Sequence, residues 1–242
     1  LYEELVIYFH EHWEIKTADH SDLGYLCDAY YNLRNYNDFF ICSNYFLGTK
    51  ETDPLTKKGW IAFIYSMRAE VFLELSDFTN AVSDAEKSIL LVNPQISKKP
   101  DEKGLEYVKN QGDARALIRA YKVKGIIHAM NKQYTDADNF INKIKFITTG
   151  SGADSFFRKP TYMAMASIYF SIHEYSKAKS ILLREKGMTQ TYYPDEEWMD
   201  FMRLPADFML TKSYFETGEI ENAKEGYESL LHKDKLSNFS SL

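Results

Sequence analysis

Hydrophobic residues along the chain recur at helical spacing, and the pattern that organises them returns five times. In each copy an amphipathic stretch ends near a large ring, a short polar turn follows, and a second stretch begins. The first copy reads Ala29-Tyr30-Tyr31, then Asn35-Tyr36-Asn37-Asp38-Phe39. The second reads Ala69-Glu70-Val71-Phe72, then Ser76-Asp77-Phe78-Thr79-Asn80-Ala81. The third is Gly125-Ile126-Ile127-His128, then Lys132-Gln133-Tyr134-Thr135-Asp136-Ala137. The fourth is Ala166-Ser167-Ile168-Tyr169, then His173-Glu174-Tyr175-Ser176-Lys177-Ala178. The fifth is Lys212-Ser213-Tyr214, then Gly218-Glu219-Ile220-Glu221-Asn222-Ala223. Aligned on Phe39, Ala81, Ala137, Ala178 and Ala223, the copies step by 42, 56, 41 and 45 residues. Nine residues before each of these stands an aromatic or His (Tyr30, Phe72, His128, Tyr169, Tyr214). Three before stands an aromatic or Ile (Tyr36, Phe78, Tyr134, Tyr175, Ile220). Each copy therefore predicts a helix, a tight turn and an antiparallel helix. No alternation is sustained enough for a sheet, so the predicted class is all-α.

These offsets resemble the tetratricopeptide repeat (TPR) family over roughly Ser21 to Lys233. That family has a small residue in the first helix, a large aromatic three later, a Gly-Asp-Tyr-like turn, and a small Ala opening the second helix. Here the small residue is Cys27, Ala69, Gly125 and Ala166, and the turn is best kept in Thr217-Gly218-Glu219-Ile220. Small residues let paired helices approach, and rings fill the holes that the crossing leaves. Thr211 departs from the pattern in the fifth copy and Phe39 in the first, and every step exceeds the family period of about 34 residues. The resemblance implies an α-solenoid of about five antiparallel helix pairs, a right-handed superhelix whose pairs bury apolar faces by stacking on neighbours. An N-terminal helix in 1–20 would precede a repeat domain over 21–242, with repeats at about 21–53, 56–94, 104–149, 159–186 and 205–233. The extra length is expected in three connections: Asn93 to Lys103, Thr148 to Asp154 and Lys186 to Pro205. Asp195 is a candidate cap for a short extra helix in the last of these. The first helix of the third copy reads from about Gly104 to Met130, with Gly112 as a candidate break.

Composition narrows the class without changing it. Apolar residues make up 45% and charged residues 26% of 242, which is ordinary for a globular chain and excludes a disordered polymer. The net charge of −6 opposes a general nucleic-acid or membrane-surface binder. Two Cys exclude a disulfide scaffold or a Cys-rich zinc fold and suit a reducing compartment, so a cytoplasmic location is expected. Leu1–Glu14 already reads as helix and opens without Met, so the chain is expected to begin inside a larger protein or after processing. No signal-peptide pattern and no membrane-spanning run is visible.

Candidate chemistry is sparse. His10-Glu11-His12-Trp13-Glu14 is the most metal-like cluster, yet His10 and His12 face different sides of a helix, and a solvated helix end is the simpler reading. The family resemblance puts Cys27 and Cys42 at packed positions on the two helices of the first pair. A disulfide or redox switch is one reading there, and two small buried thiols the expected one. Thr149-Gly150-Ser151-Gly152 lacks the Lys and the preceding strand of a phosphate loop. Asp195-Glu196-Glu197 with Asp200 reads as an acidic helix start. Asn238-Phe239-Ser240 fits a glycosylation acceptor, which carries meaning only in a secreted chain. No catalytic, metal or cofactor residues are assigned, and the chain is expected not to be an enzyme.

Function in helical-repeat stacks usually lies on the concave face, lined by the first helix of each pair. The resemblance places Asp28 and Tyr31, Glu70 and Glu74, Arg119, Lys122 and Ile126, Met163 and Phe170, and Phe208, Lys212 and Phe215 there. This gives an acidic N-terminal zone, a basic middle and an aromatic end. Residues 98–124 carry eight basic and four acidic side chains, a local excess of four in an acidic protein. Arg119, Lys122, Ile126, Met163, Phe170, Phe208, Lys212 and Phe215 are the expected contacts for a protein or peptide partner with an acidic segment and apolar anchors. Chaperone tails, which family members hold with a carboxylate clamp, are not expected, because Asp28 and Glu70 would repel a carboxylate. The chain is thus expected to be an interaction scaffold binding neither nucleic acid nor membrane. The alternative is a sensor region that gates a fused effector, a protease or a transcription regulator.

Overall fold

A computed structural model describes residues 2–12, 14–15, 19–48, 54–92, 111–150, 155–192 and 204–237. Among the described residues there are eleven helices and no strand. They are α1 (Tyr2–His12), α2 (His20–Asn32), α3 (Tyr36–Gly48), α4 (Pro54–Glu74), α5 (Phe78–Val92) and α6 (Gln111–Met130), followed by α7 (Tyr134–Gly150), α8 (Ser155–Ser171), α9 (Tyr175–Tyr192), α10 (Leu204–Glu216) and α11 (Ile220–Ser237). No helix among these residues is long and apolar enough to cross a membrane. The chain divides into two compact units, residues 1–124 and 125–242.

Five turns share one geometry. Arg34, Ser76, Lys132, His173 and Gly218 each adopt positive φ, between 56° and 81°. Each lies five residues before the aligned position of its copy. The next N–H closes back on the ring-bearing residue: Asn35 on Tyr30, Asp77 on Phe72, Gln133 on His128, Glu174 on Tyr169 and Glu219 on Tyr214, all at 2.8–3.0 Å. The positive-φ residue itself donates to the following carbonyl, as in Arg34 to Tyr31 at 3.1 Å. This is the Schellman closure, which satisfies carbonyls that a terminating helix would otherwise orphan. The residue after the turn accepts the first bond of the next helix, as when Phe39 donates to Asn35 at 2.9 Å. The Asn35 and Asp77 side chains add cap bonds from the Asp38 and Asn80 N–H groups. Before the first pair, Asp19 caps α2 by accepting from the Asp22 N–H at 2.8 Å.

The aligned positions are all core. Phe39, Ala81, Ala137 and Ala178 are fully buried and Ala223 is nearly so. Cys27, Ala69 and Ala166, the small residues of the first helices, are fully buried as well. In unit 2 a Cβ added to Gly125 would lie 2.5 Å from Ile168 Cδ1 and 3.3 Å from Phe140 Cβ, so glycine here permits the approach. The fifth pair solves the same problem from the other side. Thr211 fills the position, and Gly226 of α11 yields space, since a Cβ there would meet Thr211 Oγ1 at 2.3 Å. Phe39 is accommodated in the first pair with its ring 6.0 Å from that of Tyr31, edge-on.

In unit 1, α2 packs on α1, α3 and α4, and α4 packs on α3 and α5. Leu23, Leu26, Phe46, Ile64, Met67 and Leu117 fill its interior. In unit 2, α8 packs on α7, α9 and α10, and α10 also packs on α9 and α11. Ala166, Leu182, Ala206 and Leu210 form a cluster there, backed by Met163 and Met209.

The expectations about connections change in part. The helix expected from Gly104, with a candidate break at Gly112, is described from Gln111 onward, and residues 104–110 lie outside the described residues. The second connection was expected from Thr148 and the third from Lys186, but α7 runs to Gly150 and α9 to Tyr192. Buried Ile144 and Ile147 keep the last turns of α7 on the core. Residues 93–110, 151–154 and 193–203, with Asp195 and its acidic neighbours, lie outside the described residues, as does Asn238-Phe239-Ser240.

Left-handed backbone costs a non-glycine residue about 1–2 kcal/mol. Lys132→Gly is therefore expected to stabilise the chain by about 1 kcal/mol, and Gly218→Ala to destabilise it by a similar amount. No atom lies within 4 Å of a Gly218 Cβ, so urea unfolding of that variant reads the backbone alone. Gly125→Ala is expected to cost about 1–3 kcal/mol through overpacking. Gly187→Ala, in open space within α9, should gain about 0.5–1 kcal/mol, measured the same way.

Candidate functional site

A buried carboxylate organises the polar face of unit 1. Glu70, on α4, is only 5% exposed at its side chain. The Tyr31 hydroxyl of α2 donates to its Oε2 at 2.6 Å. Lys122 of α6 pairs with Oε1. Arg119 Nε, one turn earlier, lies 3.6 Å from Oε2. Three helices from three separate pairs thus meet at one acid. The Arg119 guanidinium lies over two rings, 4.6 Å from the Tyr31 centroid and 4.9 Å from that of Phe63, in cation–π geometry. Its Nη1 is buried and has no hydrogen-bond partner among the described residues. The Arg119 side chain as a whole is 23% exposed, so the group sits just beneath the surface.

Charge and burial compete at each member. Burial alone would push the Glu70 carboxyl up, but Lys122 and Arg119 outweigh it and hold it below its ordinary value. Burial, reinforced by the Glu70 charge, raises the Tyr31 phenol well above its ordinary value. Burial lowers Arg119, and Tyr31 and Glu70 more than restore it. Tyr2 of α1 also faces this region; burial and Asp28 raise its phenol, with Arg119 and Arg115 opposing.

The acidic and basic zones expected from the sequence are therefore not separate. Glu70 of the first zone is neutralised by Arg119 and Lys122 of the second. Glu74 accepts from the Tyr36 hydroxyl. A second charge cluster escaped the sequence reading: Arg68 Nε donates to Asp84 Oδ2 at 2.8 Å, with Lys87 on the other oxygen at 2.9 Å. Its signal was present, since Asp84 falls in the buried stripe Ala81, Ala85, Ser88 and Val92 of α5. A carboxylate in such a stripe requires a cation.

The other expected contact residues belong to unit 2. Ile126 is half-buried. Met163 packs against the α8–α10 cluster. Phe170 is edge-on to Tyr175, with centroids 5.4 Å apart. Phe208 and Phe215 of α10 are each 50% exposed. Between them Lys212 pairs with Glu216 at 2.6 Å and lies 5.2 Å from the Phe215 ring centroid. Near the N-terminus, His10 Nε2 is 2.8 Å from the Tyr30 hydroxyl, so this histidine makes a helix–helix contact. No group of three potential metal ligands occurs among the described residues. No protein-family model matches the chain, and no curated protein sequence matches it.

Glu70→Gln strands two partly buried cations and is expected to cost about 3 kcal/mol in urea unfolding at pH 7. A carboxyl held below its ordinary value takes up its proton more readily in the unfolded chain. Its contribution is complete above the unfolded value and is lost as pH falls through the folded one. The wild-type loss of stability below about pH 4 should accordingly shrink in the variant.

Proposed function

We propose that this chain is a TPR-like helical-repeat scaffold that binds an acidic peptide segment of a protein partner on the polar face of unit 1. Five identical turns and the buried small positions support the repeat assignment. The observation that carries the binding role is Arg119 Nη1, a buried charged donor without a partner among the described residues. Leaving such a donor unmade is unfavourable by about 1–3 kcal/mol or more, and a carboxylate from a ligand would recover it. Tyr31 and Phe63 hold the guanidinium plane, so the donor is oriented before a ligand arrives. Lys122 pairs with the Glu70 oxygen that Arg119 does not approach, so Arg119 is not the only cation on that carboxylate. Phe208 and Phe215 provide a separate apolar strip on unit 2, suited to a hydrophobic part of the same partner protein.

Charge reversal at Arg119 would place two acids together in the interior, so a gentler substitution is the better test. Arg119→Lys keeps the charge beside Glu70 and removes the Nη1 donor. Peptides selected by display on the wild-type chain are expected to carry an Asp or Glu beside apolar residues. Their Kd should rise roughly tenfold or more in Arg119→Lys, with thermal stability little changed. Selected peptides without acidic residues, or with equal affinity for both proteins, would overturn the reading.

A further inference from the structure

The two cysteines of the chain are brought together, and the interaction site makes no use of them. Cys27 of α2 and Cys42 of α3 are both fully buried, and their Sγ atoms lie 2.8 Å apart across the first helix pair. Both are free thiols. Cys27 donates to Cys42, whose own thiol lies 3.6 Å from the Leu23 carbonyl oxygen. A disulfide requires about 2.05 Å between sulfurs, so closure asks for under ~1 Å of further approach. The helices that carry the pair are joined by the Schellman turn at Arg34, which fixes their register. We propose that Cys27 and Cys42 form a redox clasp, a dithiol that a peroxide-class oxidant converts into an intramolecular disulfide locking α2 to α3.

The step balances as two thiols and one peroxide giving one disulfide and two waters. One thiolate attacks a peroxide oxygen; the O–O bond breaks, a sulfenic acid forms and the departing hydroxide takes up a proton. The second thiolate then attacks the sulfenic sulfur, the S–O bond breaks and the second water leaves. The protein loses two electrons and the peroxide gains them. A small dithiol reverses the clasp by thiol–disulfide exchange. Burial governs the rate. It pushes the Cys27 thiol well above its ordinary range, aided by the hydrogen bond to Cys42, so the closed pair holds little thiolate. Oxidation therefore proceeds through local opening of α2 against α3. Once formed, the link fixes the segment of α2 that leads, one turn on, to Tyr31 and its bond to Glu70.

The test uses the whole chain, reduced and then exposed to hydrogen peroxide. Free thiols are alkylated in denaturant, and the chain is digested without reductant for mass spectrometry. Because the sequence holds two Cys, any intramolecular disulfide is this one. The expected product is a linked Cys27–Cys42 peptide pair lighter by two hydrogens, in a chain that stays monomeric and is restored by dithiothreitol. Sub-denaturing urea should accelerate its formation, and the oxidised chain should melt roughly 5 °C or more above the reduced one. Cys27→Ser and Cys42→Ser should each abolish the link. Full alkylation of both cysteines after peroxide, and again after refolding with glutathione disulfide, would overturn the clasp. So would separate sulfinic acids, intermolecular dimers, or a disulfide that lowers the melting temperature.

Discussion

A helix that ends inside a protein must hand its last carbonyls to something other than water. Five times along this chain the solution is the same: one residue enters left-handed backbone, and two N–H groups close back on the helix just finished. That closure sets the direction of the next helix, and the rest follows from it. A helix returning along its predecessor, and a further helix packing on it, need small residues where they approach, and Cys27, Ala69, Gly125 and Ala166 stand at buried positions of this kind. Where the first helix carries Thr211 instead, the space comes from Gly226 on the second. The constraint is the sum of volumes at the crossing, not the identity of either residue.

Unit 1 adds a second organising interaction of a different kind. Glu70 is buried because three cationic or polar partners from neighbouring elements surround it. Buried ion pairs contribute modestly to net stability, but they discriminate strongly between arrangements, because a misplaced partner leaves a charge uncompensated. Here Arg119 and Lys122, three residues apart on α6, both turn toward Glu70 of α4. The cluster also leaves Nη1 of Arg119 buried without a hydrogen-bond partner among the described residues.

The hairpins were legible in the sequence because their signals are local. Ring, turn and small residue stand at fixed offsets of three and nine, within reach of one turn's hydrogen bonds. Glycine would have marked the left-handed position, but only Gly218 does so; Arg34, Ser76, Lys132 and His173 occupy it unannounced. The ends of α7 and α9 lie beyond Thr148 and Lys186, where the connections were expected to begin, because α7 reaches Gly150 and α9 runs on to Tyr192. The charge cluster was invisible for another reason. Glu70 and Arg119 meet through tertiary packing between separate pairs, and no offset along the chain encodes that meeting. Summing charge by zone treated as opposed two groups that neutralise each other.

The distance along the chain between Glu70 and its cations bears on how the protein is made. At about 5–20 residues per second, a ribosome delivers Arg119 and Lys122 several seconds after Glu70. Until then, of the three side chains that meet this carboxylate in the folded chain, only Tyr31 has been made. Burying the carboxylate before its cations exist would leave its charge uncompensated, so the closed cluster around Glu70 is complete only once α6 has been made.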